Sequence, residues 1–208
     1  MPRLRHLPRA RRALAASPLA VTLTAAIVGA GCLEPPGAAK PALDVRDVIA
    51  SAGVGLETAC TPTGVEICFD ARDNNCNGVI DEGCGLHTGV LQFVIAWEAE
   101  LADVDLNVYD PGGELARLGE ATSQGLLKDR DCPKNGDCQG QNVENVYLSE
   151  GEPHRGRYRV VVRLDKLNGA EPPVRVRLGA RVGQRSFAMV MDLSPGATTE
   201  EKSFEFTL

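Results

Sequence analysis

Asp73, Asn75 and Asn77 alternate along the run Asp70-Ala71-Arg72-Asp73-Asn74-Asn75-Cys76-Asn77-Gly78-Val79-Ile80-Asp81-Glu82-Gly83-Cys84. Oxygen-bearing side chains at alternate positions of a tight turn converge on one centre, and a glycine after them lets the backbone bend around it. Counted from Asp73, ligands fall at positions one, three and five, the Val79 carbonyl at seven and Asp81 at nine. That is the spacing of a calcium loop through its first nine positions. The twelfth position is Cys84, where such loops carry a bidentate glutamate, and Asn75 and Asn77 are neutral. Asp70 or Glu82 is left to complete the shell, and the expected affinity for Ca²⁺ is weak, ~10⁻⁴–10⁻³ M. The competing reading is a stapled turn in which Asn and Asp simply tolerate left-handed backbone.

The cysteines around this run set its frame. Cys60, Cys68, Cys76 and Cys84 are evenly spaced and form no C-x-x-C pair, which fits a zinc knuckle poorly. Two disulfides among them would staple a segment too small to have its own core. Cys132 and Cys138 flank a short Asn-Gly turn and are expected to pair locally. Six cysteines allow 15 connectivities, and the sequence leaves the other four unassigned.

Disulfides imply export, and the N-terminus agrees. Residues 1–12 hold five arginines and no acid, and Ala13–Gly31 is apolar and small-residue-rich, ending at Cys32. A basic, then apolar, then small-residue segment is how a secretory signal is built. Gly29-Ala30-Gly31-Cys32 resembles the lipobox of bacterial lipoproteins, with Gly29 where a larger aliphatic residue is usual. The resemblance implies lipidation of Cys32 and attachment to the membrane through that lipid. Leu33 follows, not the aspartate that retains some lipoproteins at the inner membrane, so an outer-membrane lipoprotein of the cell envelope is expected. A secreted protein with an incidental Cys32 is the alternative.

Without residues 1–31 the chain keeps 17 of its 22 Lys+Arg against 28 Asp+Glu, a net charge of −11. Such a surface repels phosphate backbones, which excludes nucleic acid as an expected partner. Residues 32–59 are rich in Pro, Ala and Gly and read as a flexible tether, with a short helix conceivable over Leu43–Ser51. Residues 60–87 form the cysteine-rich module, and 88–208 carry nearly all the core-forming sequence.

That last part reads as strands. Val104, Leu106 and Val108 alternate with Asp103, Asp105 and Asn107. Tyr158, Val160, Val162 and Leu164 alternate with polar or charged neighbours, as do Val174, Val176, Leu178, Ala180 and Val182. Leu91–Trp97, Ser186–Asp192 and Ser203–Thr207 add three more. Turns such as Asp110-Pro111-Gly112-Gly113 and Asn168-Gly169 separate them. Short half-buried strands without helical periodicity predict an all-β fold, an antiparallel β-sandwich.

Two stretches resemble known families. Glu66-Ile67-Cys68-Phe69-Asp70 through Asp81-Glu82-Gly83-Cys84 is similar to the MopE-type metal-binding repeat of bacterial surface proteins, in a single copy and with Asn75 and Asn77 in place of aspartates. Trp97, the Asp103–Gly113 strand and turn, Asp129-Arg130-Asp131-Cys132, Val143-Glu144-Asn145-Val146-Tyr147 and Gly156-Arg157-Tyr158 follow the order of the YfaP-like domain of bacterial exported proteins. That resemblance implies a β-sandwich without established catalysis.

Asp103 and Asp105 are expected on one outward strand face, where Asp129, Asp131 and Glu144 can join them as a second metal site; a solvated acidic edge is the simpler reading. His87 and His154 read as solvated loop residues, Tyr109 and Tyr147 as exposed, and Trp97 as core. No hydrolase, metalloprotease, P-loop or dinucleotide fingerprint occurs. The sequence thus describes a non-enzymatic, calcium-binding envelope lipoprotein that offers a sandwich to a protein or glycan partner. The alternatives are a metal-free adhesive lipoprotein and an accessory subunit of a secreted hydrolase complex.

Overall fold

Period-two apolar patterning becomes two facing antiparallel sheets. The computed structural model describes residues 43–57, 60, 64–133, 138 and 140–208. The expected signal segment and Cys32 lie outside them. The strands are β1 (Arg46–Ala50), β2 (Gly55–Glu57), β3 (Leu91–Trp97), β4 (Asp103–Tyr109), β5 (Leu127–Asp131), β6 (Val143–Leu148), β7 (Arg157–Lys166), β8 (Val174–Val182), β9 (Arg185–Leu193) and β10 (Glu201–Thr207). They form a four-stranded sheet, β1-β10-β7-β4, and a six-stranded sheet, β2-β9-β8-β3-β6-β5. No helix occurs among the described residues, so none there can cross a membrane as a helix.

The expected alternation supplies the inner core. Val104, Leu106 and Val108 of β4, Tyr158, Val160 and Val162 of β7, and Val174, Val176 and Leu178 of β8 are buried between the sheets. Phe206 is fully buried among Phe93, Tyr158 and Phe204, with its ring stacked on Tyr158 at 5.2 Å. Trp97 is core as expected, its indole N–H donating to the Ala102 carbonyl at 3.0 Å.

Strand β3 is buried along its whole length, which a sheet with one wet face does not do. Leu91, Phe93 and Ile95 face the inner core, while Val94 and Ala96 belong to a second cluster with Ala71, Ile80, Leu86, Cys132 and Val143. The cysteine-rich module therefore covers the outer face of the six-stranded sheet. Residues 40–208 make one compact unit.

The tether is shorter than the sequence implied. β1 pairs with β10 at the edge of one sheet, and β2 pairs with β9 at the edge of the other. The helix conceivable over Leu43–Ser51 is instead β1: with no cap and with Val45, Val48 and Ile49 in extended reach of β10, strand pairing satisfies its backbone where an isolated helix could not.

Candidate metal centre

Among its described residues the module has no regular elements, and its path is fixed by left-handed residues and cross-links. Phe69, Ala71, Cys76 and Asp81 take positive φ (62°, 57°, 64° and 51°), as does Gly78 at 84°. Non-glycine residues rarely do this, because Cβ crowds the backbone. Interlocked disulfides Cys60–Cys76 and Cys68–Cys84 hold the turns, and Cys132–Cys138 closes the local loop the sequence indicated. Each module bridge spans 16 residues, so removing one as a Cys68→Ser, Cys84→Ser pair is expected to cost about 3 kcal/mol. A lowered melting temperature with the inner-core aromatics still ordered by near-UV circular dichroism would show it.

Asp81, the ninth position of the spacing, is a brace. It is fully buried, and its two oxygens accept the Asp70 and Ala71 amides at 3.2 and 3.1 Å. Burial, with the Asp70 charge adding to it, pushes its carboxyl up to about 7 against the pull of these amides. Its own amide donates to Glu66 Oε1 at 3.0 Å. Asp70 is likewise engaged, by the Arg72 amide at 3.0 Å and the Asn74 side chain at 3.2 Å.

The remaining candidates draw together. Asp73 accepts the Asn77 and Gly78 amides at 3.0 and 2.9 Å and the Ser186 hydroxyl of β9 at 2.7 Å. Asn75 Oδ1 accepts the Asn77 amide and Asn77 Oδ1 the amide of Val79, at 3.0 and 2.8 Å. The side-chain amides of Asn75 and Asn77 both donate to Glu82 Oε1. Glu82 Oε2 is buried and finds no hydrogen-bond partner. Glu66, which the calcium spacing overlooked, closes the group. Its Oε2 accepts the Asn74 and Asn75 amides at 3.1 and 3.3 Å, and burial together with the nearby Glu82 charge raises its pKa. Only its place at the head of the MopE-type run pointed to it.

The group rests on a rigid base. Gln92 of β3 donates to the Ile80 carbonyl at 3.2 Å, Arg177 of β8 to the Asp70 carbonyl at 3.1 Å, and Arg130 of β5 to the Gly85 carbonyl at 3.0 Å. Glu57 of β2 takes both Arg72 and Arg177, at 2.6 and 2.9 Å, and these cations hold its carboxyl below the usual range although burial opposes them.

The second acidic group divides in two. Asp105, Asp131 and Glu144 place oxygens within 4.8 Å of one another. Lys128 already sits there, paired with Asp131 and, at 2.8 Å, with Glu144. Asp103 is buried, and Asp129 points elsewhere, binding His87 Nδ1 at 2.8 Å and the Asn145 side chain at 2.7 Å. Tyr147, expected on the surface, is buried, because the exposed His87 ring stacks on it at 5.2 Å.

Residues 58–82 match a family model of the MopE type whose description is "Putative metal-binding motif". No curated protein and no solved structure matches the chain.

Proposed function

We propose that the chain is a non-enzymatic, exported envelope protein that binds calcium through the Glu66–Glu82 loop and offers its sandwich to a protein or glycan partner. The observation that carries the metal is the buried, unpartnered Glu82 Oε2 among Glu66, Asn75 and Asn77. A half-turn of each asparagine's terminal torsion turns its oxygen toward Glu82 and costs the Asn77 and Val79 amides their present acceptors. Asn75, Asn77, Glu82 and Glu66 would then form an all-oxygen set. The repulsion between Glu66 and Glu82 is the term a divalent cation relieves.

The matched model carries copper in its name. Copper favours thiolate, thioether or imidazole. The cysteines of the loop are oxidised, and its remaining donors are carboxylate and amide oxygens, which suit calcium. Two neutral asparagines keep the expected dissociation constant at ~10⁻⁴–10⁻³ M.

Lipid attachment at Cys32 and outer-membrane placement rest on the lipobox-like run, and the YfaP-like assignment of residues 88–208 on the order of its motifs. The reading as a non-enzyme rests on the lack of catalytic fingerprints in the sequence.

Calorimetric titration of Ca²⁺ into the oxidised protein tests the metal. Saturable binding is expected, weakened at least tenfold in Glu82→Gln. Binding unchanged in Glu82→Gln and in Glu66→Gln would remove the loop as the site, and tighter binding of Cu²⁺ than Ca²⁺ would overturn the metal's identity.

A further inference from the structure

On the side of the sandwich where β1 and β2 form the rims of opposite sheets, inward-facing apolar side chains are left in contact with water. Directly paired residues of an antiparallel ladder share a face. Leu56 of β2 pairs with Met189 of β9, which belongs to the inner core, so Leu56 points inward as well. It is nevertheless 80% exposed. On the facing rim the register of β1 slips between Arg46 and Ile49, opposite Phe206, and Asp47 takes a φ of 47°. A bulge of this kind bends its strand away from the ladder, and Val48 within it is 57% exposed.

Between the two rims lies a cavity of about 230 Å³. Val182, Met189, Phe204 and Phe206, all of the inner core, line it, with Val48 and Leu56 at its lips. A cavity of ~150 Å³ with an apolar lining of this sort stays dry and accepts benzene. This one is half as large again, which is room for an aliphatic chain of about eight to ten carbons.

The lining holds one charge, Arg185. It pairs with Val182 across the β8–β9 turn, so it too faces inward, at the last rung of that hairpin. Among the described residues its side chain makes no ion pair and no hydrogen bond. Other arginines on the strands are engaged, Arg163 by Glu200 and Arg175 by Asp192. Two acids of the rims are likewise taken: Asp44 by Arg46, and Glu57 by Arg72 and Arg177.

An apolar slot with a single unpaired cation in its wall is complementary to an aliphatic chain that ends in one negative charge. The guanidinium fork matches a carboxylate through two parallel N–H···O bonds. We propose that the cleft between β1 and β2 binds a free medium-chain fatty acid, its carboxylate on Arg185 and its chain against Phe204 and Phe206. The site is independent of the cysteine-rich loop and of any metal there.

Calorimetric titration of straight-chain fatty acids into the oxidised protein, in calcium-free buffer and below micelle-forming concentrations, tests this. One molecule per chain is expected to bind. From hexanoate to octanoate each added methylene should tighten binding about fourfold, and the gain should end once the cavity is full, so that dodecanoate binds no better than decanoate. Octanol has the octanoate chain without its charge. Arg185→Gln is expected to weaken octanoate about fivefold and to leave octanol unchanged, which a merely structural role for Arg185 would not do. Leu56→Trp alters a side chain that the core does not need and fills the mouth of the cleft. Excluding two methylenes there should weaken both ligands at least about tenfold. The proposal would be overturned by the lack of saturable fatty-acid binding, by affinity that keeps rising through dodecanoate, or by binding unchanged in Leu56→Trp. A wild type that sediments as a dimer, with Leu56→Trp a monomer, would assign the cleft to a second copy of the chain and overturn it equally.

Discussion

Replacing Gly179 by alanine is expected to push the cysteine-rich module off the sheet. Gly179 lies on β8 between the inward Leu178 and Ala180, so its missing side chain would point outward. A Cβ there would stand 2.4 Å from the Ala71 carbonyl oxygen and 3.1 Å from the Ile80 Cδ1. The first contact is with backbone, in a turn pinned by Asp81 and the disulfides, and it cannot be relieved by a rotamer change. Overpacking of this kind costs about 1–3 kcal/mol. Amide hydrogen exchange should accelerate over residues 66–84 while β4 and β7 stay protected. The calcium binding proposed for the loop should weaken with it, because Asp73 would lose its hydrogen bond to Ser186. Unchanged exchange in the module would mean that the module does not seat on Gly179.

A second large effect is expected at Lys128, whose side chain is 8% exposed and sits among Asp105, Asp131 and Glu144. Lys128→Met keeps most of the aliphatic stem and removes the charge, leaving carboxylates buried without their counter-ion. Breaking a buried pair in this way costs about 3–5 kcal/mol. Burial already raises the Glu144 carboxyl well above the usual range, with Lys128 opposing the shift; without Lys128 it rises further. The folded variant then binds more protons than the unfolded chain, so its stability should rise as pH falls from neutrality toward the ordinary carboxylate range. Calcium should also restore part of the loss, since the vacated position is bounded by three carboxylates. Urea melts at neutral and mildly acidic pH, with and without calcium, would check both. A loss confined to less than 1 kcal/mol would place the ammonium in solvent.

The strands legible in the sequence were those with one apolar face. β4, β7 and β8 declared themselves by alternation, and β3 by an apolar run broken only at Gln92, though nothing near it said what would cover the outer side. β5 was invisible because its buried residues are Lys128 and Arg130. Two residues apart, they would share one face, but the register shifts between them: Lys128 pairs with the inward Val146, and Arg130 with Asn145 on the module side. The irregularity sends one cation to the acidic group and the other beneath the module. Neither destination leaves a hydrophobic signature.

The candidate site was half legible for a similar reason. Alternating oxygen side chains marked Asp73, Asn75 and Asn77, and the structure keeps them together. Their spacing alone could not show that Asp81 turns back to cap its own chain, nor that Glu66 and Glu82 take up the carboxylate role. Both depend on left-handed turns at Phe69, Ala71 and Asp81, where local preference gives way to the disulfides.

The short stretch that supplies β1 and β2 also decides how the protein would respond to a pull. It lays one strand on the rim of each sheet, and β1 enters with Arg46 opposite Thr207. Tension arriving from the N-terminal side would meet β1 first and part its bonds to β10 one after another, as a zipper opens, before reaching β2. Little force is needed for such sequential rupture, and the eight strands from β3 to β10 would remain folded while slack is released. Under such a pull the segment would yield first, ahead of the body that carries the metal-binding motif.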